Sequence, residues 1–364
     1  MNMMNTTRHN WTKEEIIALY NKPMMDLLYE AATIHRINHD PNVVQVSTLL
    51  SIKTGGCPED CGYCPQAARY HTDIETNDLM SVQQVKAQAL RAKSSGSSRV
   101  CMGAAWRNVK DGPEFEQVLE MVRTINKLDM EVCCTLGMIT ENQAKRLAEA
   151  GLYAYNHNLD SSEEYYKEVI STRGYEDRLE TIANVRKTNV TVCSGGIIGM
   201  GESVEDRAGM LVALASLNPQ PESVPINALV AVEGTPLEDE KPVEIWEMIR
   251  MVATTRIVMP ETQVRLSAGR TEMSREGQAM CFFAGANSIF AGDKLLTTPN
   301  PDVNEDMKMF ELLGLIPQKP FIKVMQPKTV EAEDSQFQSL GEKPRWTRPE
   351  HKIERNLEAS NKGK

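Results

Sequence analysis

Residues 43–64 read VVQVSTLLSIKTGGCPEDCGYC. The first eight, 43–50, form an apolar run of strand type. Gly55 and Gly56 then lead into three thiols, Cys57, Cys61 and Cys64, spaced C-x3-C-x2-C. Fully extended, seven residues reach roughly 25 Å, so three sulfurs can meet one small object only if the loop curls, which the glycines permit. Thiolates are soft donors suited to iron–sulfur clusters, zinc or Cu(I). A [4Fe–4S] cube normally takes four cysteines, and a tight set of three leaves one iron open for a ligand that is not protein. Zinc held by the same thiols and His71 is the plain alternative, but zinc sites favour paired C-x2-C spacings and the triplet fits them poorly.

On both sides of this loop the chain is patterned. Thr12 and Glu15 have the spacing of a capping box that opens a short helix to Tyr20. Pro23 suits the first turn of a second helix carrying Leu27, Leu28, Ala31 and Ile34. After the loop, strands are expected over 99–105, 131–137, 153–160, 190–198, 223–230, 263–268 and 288–291. Helices are expected between and after them, over 81–93, 113–127, 141–150, 162–169, 175–187, 204–217, 242–255, 276–284 and 305–313. With the strand at 43–50 this makes eight strand–helix units, and such alternation implies a parallel sheet with right-handed crossovers. An open doubly wound sheet shares the alternation. Eight units favour closure into an α/β fold of the (β/α)8 TIM type. The glycines at 195, 196, 199 and 201 lack the third fingerprint glycine in register, so no dinucleotide fold is assigned. The expected organisation is an N-terminal helical extension over 1–40, the barrel over 41–323 and a polar, disordered tail over 324–364.

Composition narrows the function. At 364 residues the chain can bury a large core, and its net charge of −10 with no basic block outside the tail disfavours nucleic acid. No run of about 20 apolar residues would span a membrane. Residues 1–10 lack the apolar stretch of a secretion signal, so a cytoplasmic location is expected. In that compartment eight cysteines read as metal ligands or buried thiols rather than disulfides.

Several of those cysteines fall on strands. Cys101 lies on the second, Cys133 and Cys134 on the third, Cys193 on the fifth, and Arg265 on the seventh. A lone strand cysteine is usually a small buried hydrophobe, but three strands each supplying one toward a barrel interior suggest a second thiol site. Neighbours in a strand face opposite sides, so only one of Cys133 and Cys134 can point inward, and periodicity does not say which. Asn156, Asn158 and Asp160 share one face if 153–160 is a continuous strand, and His157 then faces away as a core histidine. Asn227 is a buried amide in need of partners. Arg178 could be a solvated helix arginine, Cys281 an inert core thiol, and Asp160 a capping residue.

The C-x3-C-x2-C loop after a first strand resembles the signature of radical S-adenosylmethionine enzymes. Residues 100–107 (VCMGAAWR), 155–160 (YNHNLD), 192–196 (VCSGG), 264–270 (VRLSAGR) and 284–289 (AGANSI) resemble the motifs of one branch, the biotin synthase family. The resemblance runs from the N-terminal helices to the last barrel helix. It implies a sulfurtransferase that inserts sulfur between C6 and C9 of dethiobiotin. A 5′-deoxyadenosyl radical from S-adenosylmethionine, cleaved at a [4Fe–4S] cluster on Cys57, Cys61 and Cys64, would abstract hydrogen. A [2Fe–2S] cluster on Cys101, Cys133, Cys193 and Arg265 would supply the sulfur. The resemblance further implies S-adenosylmethionine contacts at Asn158, Asp160 and Arg178, with substrate contacts at Asn158 and Asn227; Tyr63, inside the loop, is placed to shield the cluster or to stack on the adenine of the cofactor. It implies a homodimer and a flavodoxin-type electron donor as well. A hydrogenase-maturase-like radical enzyme and a non-enzymatic iron–sulfur scaffold are the competing readings.

Deleting the chain after Pro327 is expected to leave activity and melting temperature nearly unchanged, because the remaining stretch offers little large apolar surface. A calorimetric loss of several degrees would contradict this.

Overall fold

The computed structural model of the chain describes residues 7–292 and 294–320, and the tail expected over 324–364 lies outside them. Two helices, α1 (Lys13–Tyr20) and α2 (Met24–Asn38), come first. α1 opens as expected, with Thr12 and Glu15 exchanging the reciprocal bonds of a capping box.

Nine strands then build one closed ring. They are β1 (Val43–Lys53), β2 (Arg99–Ala104), β3 (Glu131–Thr135), β4 (Ala154–Asn156), β5 (Thr191–Cys193), β6 (Gly196–Ile198), β7 (Ser223–Ala228), β8 (Gln263–Leu266) and β9 (Ser288–Phe290). Each pairs in parallel with its spatial neighbour, and β9 returns to β1 through Gln45↔Ser288, Val46↔Ile289 and Ser47↔Phe290. That last ladder closes the sheet and rules out the open alternative. A two-residue strand, β10 (Ile316–Pro317), adds to the start of β1.

β5 and β6 are two halves of one barrel strand, broken at Ser194 and Gly195, so the ring counts as eight. The sequence pattern over 190–198 gave no sign of this break. Gly195 explains it: a Cβ there would lie 2.0 Å from the Pro225 carbonyl oxygen, so the chain can press this closely on β7 only without a side chain. The break also shortens β4, which ends at Asn156 instead of running to residue 160. Leu159 and Asp160 both turn their N–H groups to the Gly195 carbonyl, and Asp160 takes a left-handed φ of 69°. The single strand face expected for Asn156, Asn158 and Asp160 therefore holds for the first two at most.

The outer helices are α3 (Val82–Ser94), α4 (Pro113–Asn126), α5 (Glu141–Glu149), α6 (Glu163–Val169), α7 (Tyr175–Arg186), α8 (Val204–Ala215), α9 (Ile245–Val258), α10 (Arg275–Phe283) and α11 (Val303–Leu313). α4 shows why they dock: Phe115, Val118, Leu119, Val122 and Ile125 recur at helical spacing and are all buried. The main apolar core lies between helices and sheet, and Cys134 belongs to it. A separate small cluster fills the ring itself, with Cys101, Cys133, Tyr153, Ala154, Phe290 and Leu295. α1 is fastened to the outer layer through Tyr20, whose hydroxyl donates to Glu247 at 2.8 Å and accepts from Arg207 at 2.6 Å.

At the start of the strands the interior is charged. Arg99 is fully buried between Glu131, at 2.8 Å, and Glu222, at 3.3 Å. Removing one partner of such a group leaves the others desolvated without compensation. Arg99→Met should therefore destabilise the fold by about 3–5 kcal/mol, read as a lowered melting temperature, and an unchanged melt would show that the two carboxylates find other partners.

Candidate active site

Chain geometry curls the cysteine loop. After β1, Gly55 and Gly56 both take positive φ, at 75° and 70°, a region glycine enters without strain. Cys57 N–H then donates to Gln66 O at 2.9 Å, Ala68 N–H to Cys57 O at 2.7 Å, and Cys64 N–H to Cys61 O at 2.9 Å. Cys61 is buried, and Cys57 and Cys64 are half-buried. Burial pushes all three thiols up from their ordinary pKa, and Cys64, crowded by Cys61 as well, reaches about 12. Among the described residues no three His, Cys, Asp or Glu side chains are gathered as they would be on one metal ion. The fit to a cluster rests instead on donor chemistry. Three soft donors on one curled loop, each unfavourable as a bare thiolate, suit a polynuclear centre whose binding displaces their protons.

The residues between the cysteines hold the loop to the chain after α6. Gly62 N–H donates to Val169 O at 2.9 Å. Asp60 accepts from the backbone N–H groups of Ser171 and Thr172, at 2.9 and 3.0 Å, and from both hydroxyls. Burial alone would raise the Asp60 carboxyl, but these bonds outweigh it and hold the group at about 2. Glu59, also buried, accepts from the Thr172 hydroxyl and pairs with Arg107 at 3.4 Å.

A second link runs to the turn after β4. The Tyr63 hydroxyl donates to Asp160 at 2.7 Å. Arg178 is buried, not solvated: it pairs with Asp160 and donates to Asn158 O at 2.8 Å and to the Tyr166 hydroxyl at 2.9 Å. Asn158 accepts through Oδ1 from Asn156 Nδ2 at 3.0 Å and from Gly195 N–H at 3.2 Å. Tyr63, Asn158, Asp160 and Arg178 thus form one connected set beside the cysteine loop. Asn227 stands apart from it, with Nδ2 on Gly196 O at 2.9 Å and Oδ1 on Ala268 N–H at 3.1 Å. His157 is buried with Nε2 unpartnered, and burial keeps it neutral.

Inside the ring a second thiol group assembles. Cys101 and Cys133 sit opposite each other on β2 and β3. Both thiols are free, and Cys133 donates a hydrogen bond to Cys101, which lowers the pKa of Cys101. Nearby Arg265 and Arg99 lower it further, whereas Cys133 is pushed up. Cys193 Sγ accepts from Asn156 Nδ2 at 3.3 Å and from Arg265 at 3.8 Å. Arg265 is buried, with Nε on Ser288 at 2.8 Å, Nη2 on Gln45 at 2.9 Å, and its guanidinium 4.7 Å from the Phe290 ring centre. So Cys101, Cys133, Cys193 and Arg265 share the interior, while Cys134 and Cys281 lie in the outer core. Asn156 bridges the two groups, touching Asn158 and Cys193. Glu59, Asp60 and Arg107 received no role from the sequence, since their partners at 171 and 172 are remote in the chain.

The radical SAM superfamily profile matches residues 51–214, and that of the Biotin and Thiamin Synthesis associated domain matches 225–316. Biotin synthase of Flavobacterium psychrophilum is 88% identical over 361 residues, covering 99% of this chain and 100% of that protein. Biotin synthase of Flavobacterium johnsoniae is 88% identical over 362 residues, and that of Cytophaga hutchinsonii 63% over 325. Among solved structures, methylornithine synthase superposes with a TM-score of 0.71 at 16% identity, covering 85% of this chain and 94% of that one. The [FeFe]-hydrogenase maturase HydG of Carboxydothermus hydrogenoformans gives 0.71 at 15% identity, covering 85% and 76%. These two show the shared fold.

Asp60→Asn should loosen the cysteine loop at a cost of about 1–3 kcal/mol. The folded pKa of Asp60 lies below the ordinary value of about 3.9, so its contribution is full above that value and disappears as pH falls through about 2. Wild type and variant should therefore differ in melting temperature near neutrality and converge in acid. A constant gap between their acid unfolding curves would remove Asp60 from this role.

Proposed function

The chain belongs to the biotin synthase family, and we propose that it inserts sulfur between C6 and C9 of dethiobiotin to close the thiophane ring of biotin. It is a radical S-adenosylmethionine sulfurtransferase with iron–sulfur clusters. The hydrogenase-maturase alternative is not favoured by relatives this close. We assign a [4Fe–4S] cluster to Cys57, Cys61 and Cys64, and a [2Fe–2S] cluster to Cys101, Cys133, Cys193 and Arg265. Together with S-adenosylmethionine, these groups supply a radical able to take hydrogen from unactivated carbon, and the sulfur itself.

The chain's own residues bind, orient and exclude water. Tyr63 and Arg178 converge on one Asp160 oxygen, which leaves the other carboxylate oxygen for ribose hydroxyls. Arg178 sits where a carboxylate of the cofactor would meet a cation. Asn158 spends its Oδ1 on Asn156 and Gly195, so its Nδ2 hydrogens remain to meet an acceptor such as a ureido oxygen. Asn227 keeps one Nδ2 hydrogen beyond the one given to Gly196. The apolar ring of Phe290, Leu295 and Ala154 around the inner thiols keeps water from a reactive intermediate. The same reading carries a flavodoxin-type electron donor, a homodimer and a cytoplasmic location. Among the described residues no helix is long and apolar enough to cross a membrane.

The observation that carries the proposal is the division of the adjacent thiols, Cys133 with Cys101 inside the ring and Cys134 in the outer core. Cys133→Ala should lose the [2Fe–2S] cluster and biotin formation. Cys134→Ala should cost roughly 1–2 kcal/mol of packing and keep both. Iron and sulfide analysis beside a biotin assay decides; the reverse pattern would mean that β3 is out of register by one residue.

A further inference from the structure

Around the cysteine loop stand three carboxylates and four arginines. Arg69 pairs with Asp60 at 3.3 Å, Arg107 with Glu59 at 3.4 Å, and Arg178 with Asp160. Each of those pairs is neutral. Arg173 is the fourth arginine. It makes no ion pair or hydrogen bond among the described residues, and its Nε is buried without a partner. Its place is fixed by its neighbours in the chain. Val169, Ser171 and Thr172 are each bonded to residues between the cysteines, through Gly62 and Asp60. A segment fastened at those points delivers residue 173 to the same loop. Thr172, its immediate neighbour, also donates its hydroxyl to Glu59, so residue 173 follows a residue held against the stretch between Cys57 and Cys61.

We infer that Arg173 is the counter-charge of the thiolate loop, a positioning residue that acts through Cys57 and Cys61 to set the redox potential of the cluster they hold. Thiolates bring negative charge that three internally neutralised pairs do not offset. One unpaired guanidinium beside them favours the reduced, more negative state and so raises the potential. Glu59 and Asp60 then serve as the grip that keeps this cation in range. The inference rests on the cluster assignment proposed above.

The test uses the full-length chain with both clusters reconstituted, and follows reduction of the [4Fe–4S] centre by spin resonance in a redox titration. Arg173→Gln should keep its iron and sulfide but shift the midpoint potential to more negative values. Arg173→Lys, which keeps the charge, should return it toward wild type. Loss of the cluster in the Gln variant alone would equally support a need for the charge. Loss of the cluster in both variants would overturn the inference. So would an unshifted potential, or weaker S-adenosylmethionine binding at an unshifted potential, which would make Arg173 a ligand contact instead. Cys57→Ala run alongside separates the two levels: if it retains the full [4Fe–4S] signal, the cluster assignment itself fails.

Discussion

Closure of the parallel sheet between β1 and β9 is the constraint on which the rest depends. Until Gln45, Val46 and Ser47 pair with Ser288, Ile289 and Phe290, the inner faces of the strands have no common interior. Once the ring closes, side chains from six strands meet. Gln45 on β1 and Ser288 on β9 both bond to Arg265 on β8, which reaches Cys193 on β5. Cys101 stands on β2, level with Cys133 on β3. The interior chemistry is therefore a property of the ring and of no single motif.

At the other ends of the strands, carboxylates organise the site. Asp60 and Glu59 bind the cysteine loop to the segment after α6, and Asp160 binds Tyr63 to Arg178. Each anion is desolvated and each is matched by hydrogen bonds or a guanidinium, which is how buried charge is tolerated. For Cys57 and Cys61 burial outweighs the nearby guanidiniums of Arg178, Arg173 and Arg107, and all three thiols are pushed up.

Much of this was legible in the sequence because it is periodic or closely spaced. Strand–helix alternation announced the barrel, and three cysteines within eight residues marked the loop that the glycines curl. Features without a period were hidden. The break at Ser194 and Gly195 sits inside an apolar run that reads as unbroken strand, and only the approach of Pro225 reveals why it must part. Glu59 and Asp60 looked like filler because their partners at 171 and 172 lie more than 110 positions away. Arg178 read equally as a solvated arginine, since nothing local shows that Asp160, Tyr166 and the Asn158 carbonyl surround it. Which of Cys133 and Cys134 faces inward required a family motif, as both are flanked by small or apolar residues.

The ladder that closes the ring also orders events in time. Gln45 and Ser288 are 243 positions apart, so the chain can draw them together only after residue 288 has left the ribosome, and at the entropic cost of a very long loop. The cysteine loop answers to nearer contacts, since its bonds to Ser171 and Thr172 span 111 and 112 positions. A nascent chain can therefore shape the cysteine loop while the inner thiols still lie on an unclosed sheet. The contacts around Arg265 are thus the last to assemble, when β9 docks against β1.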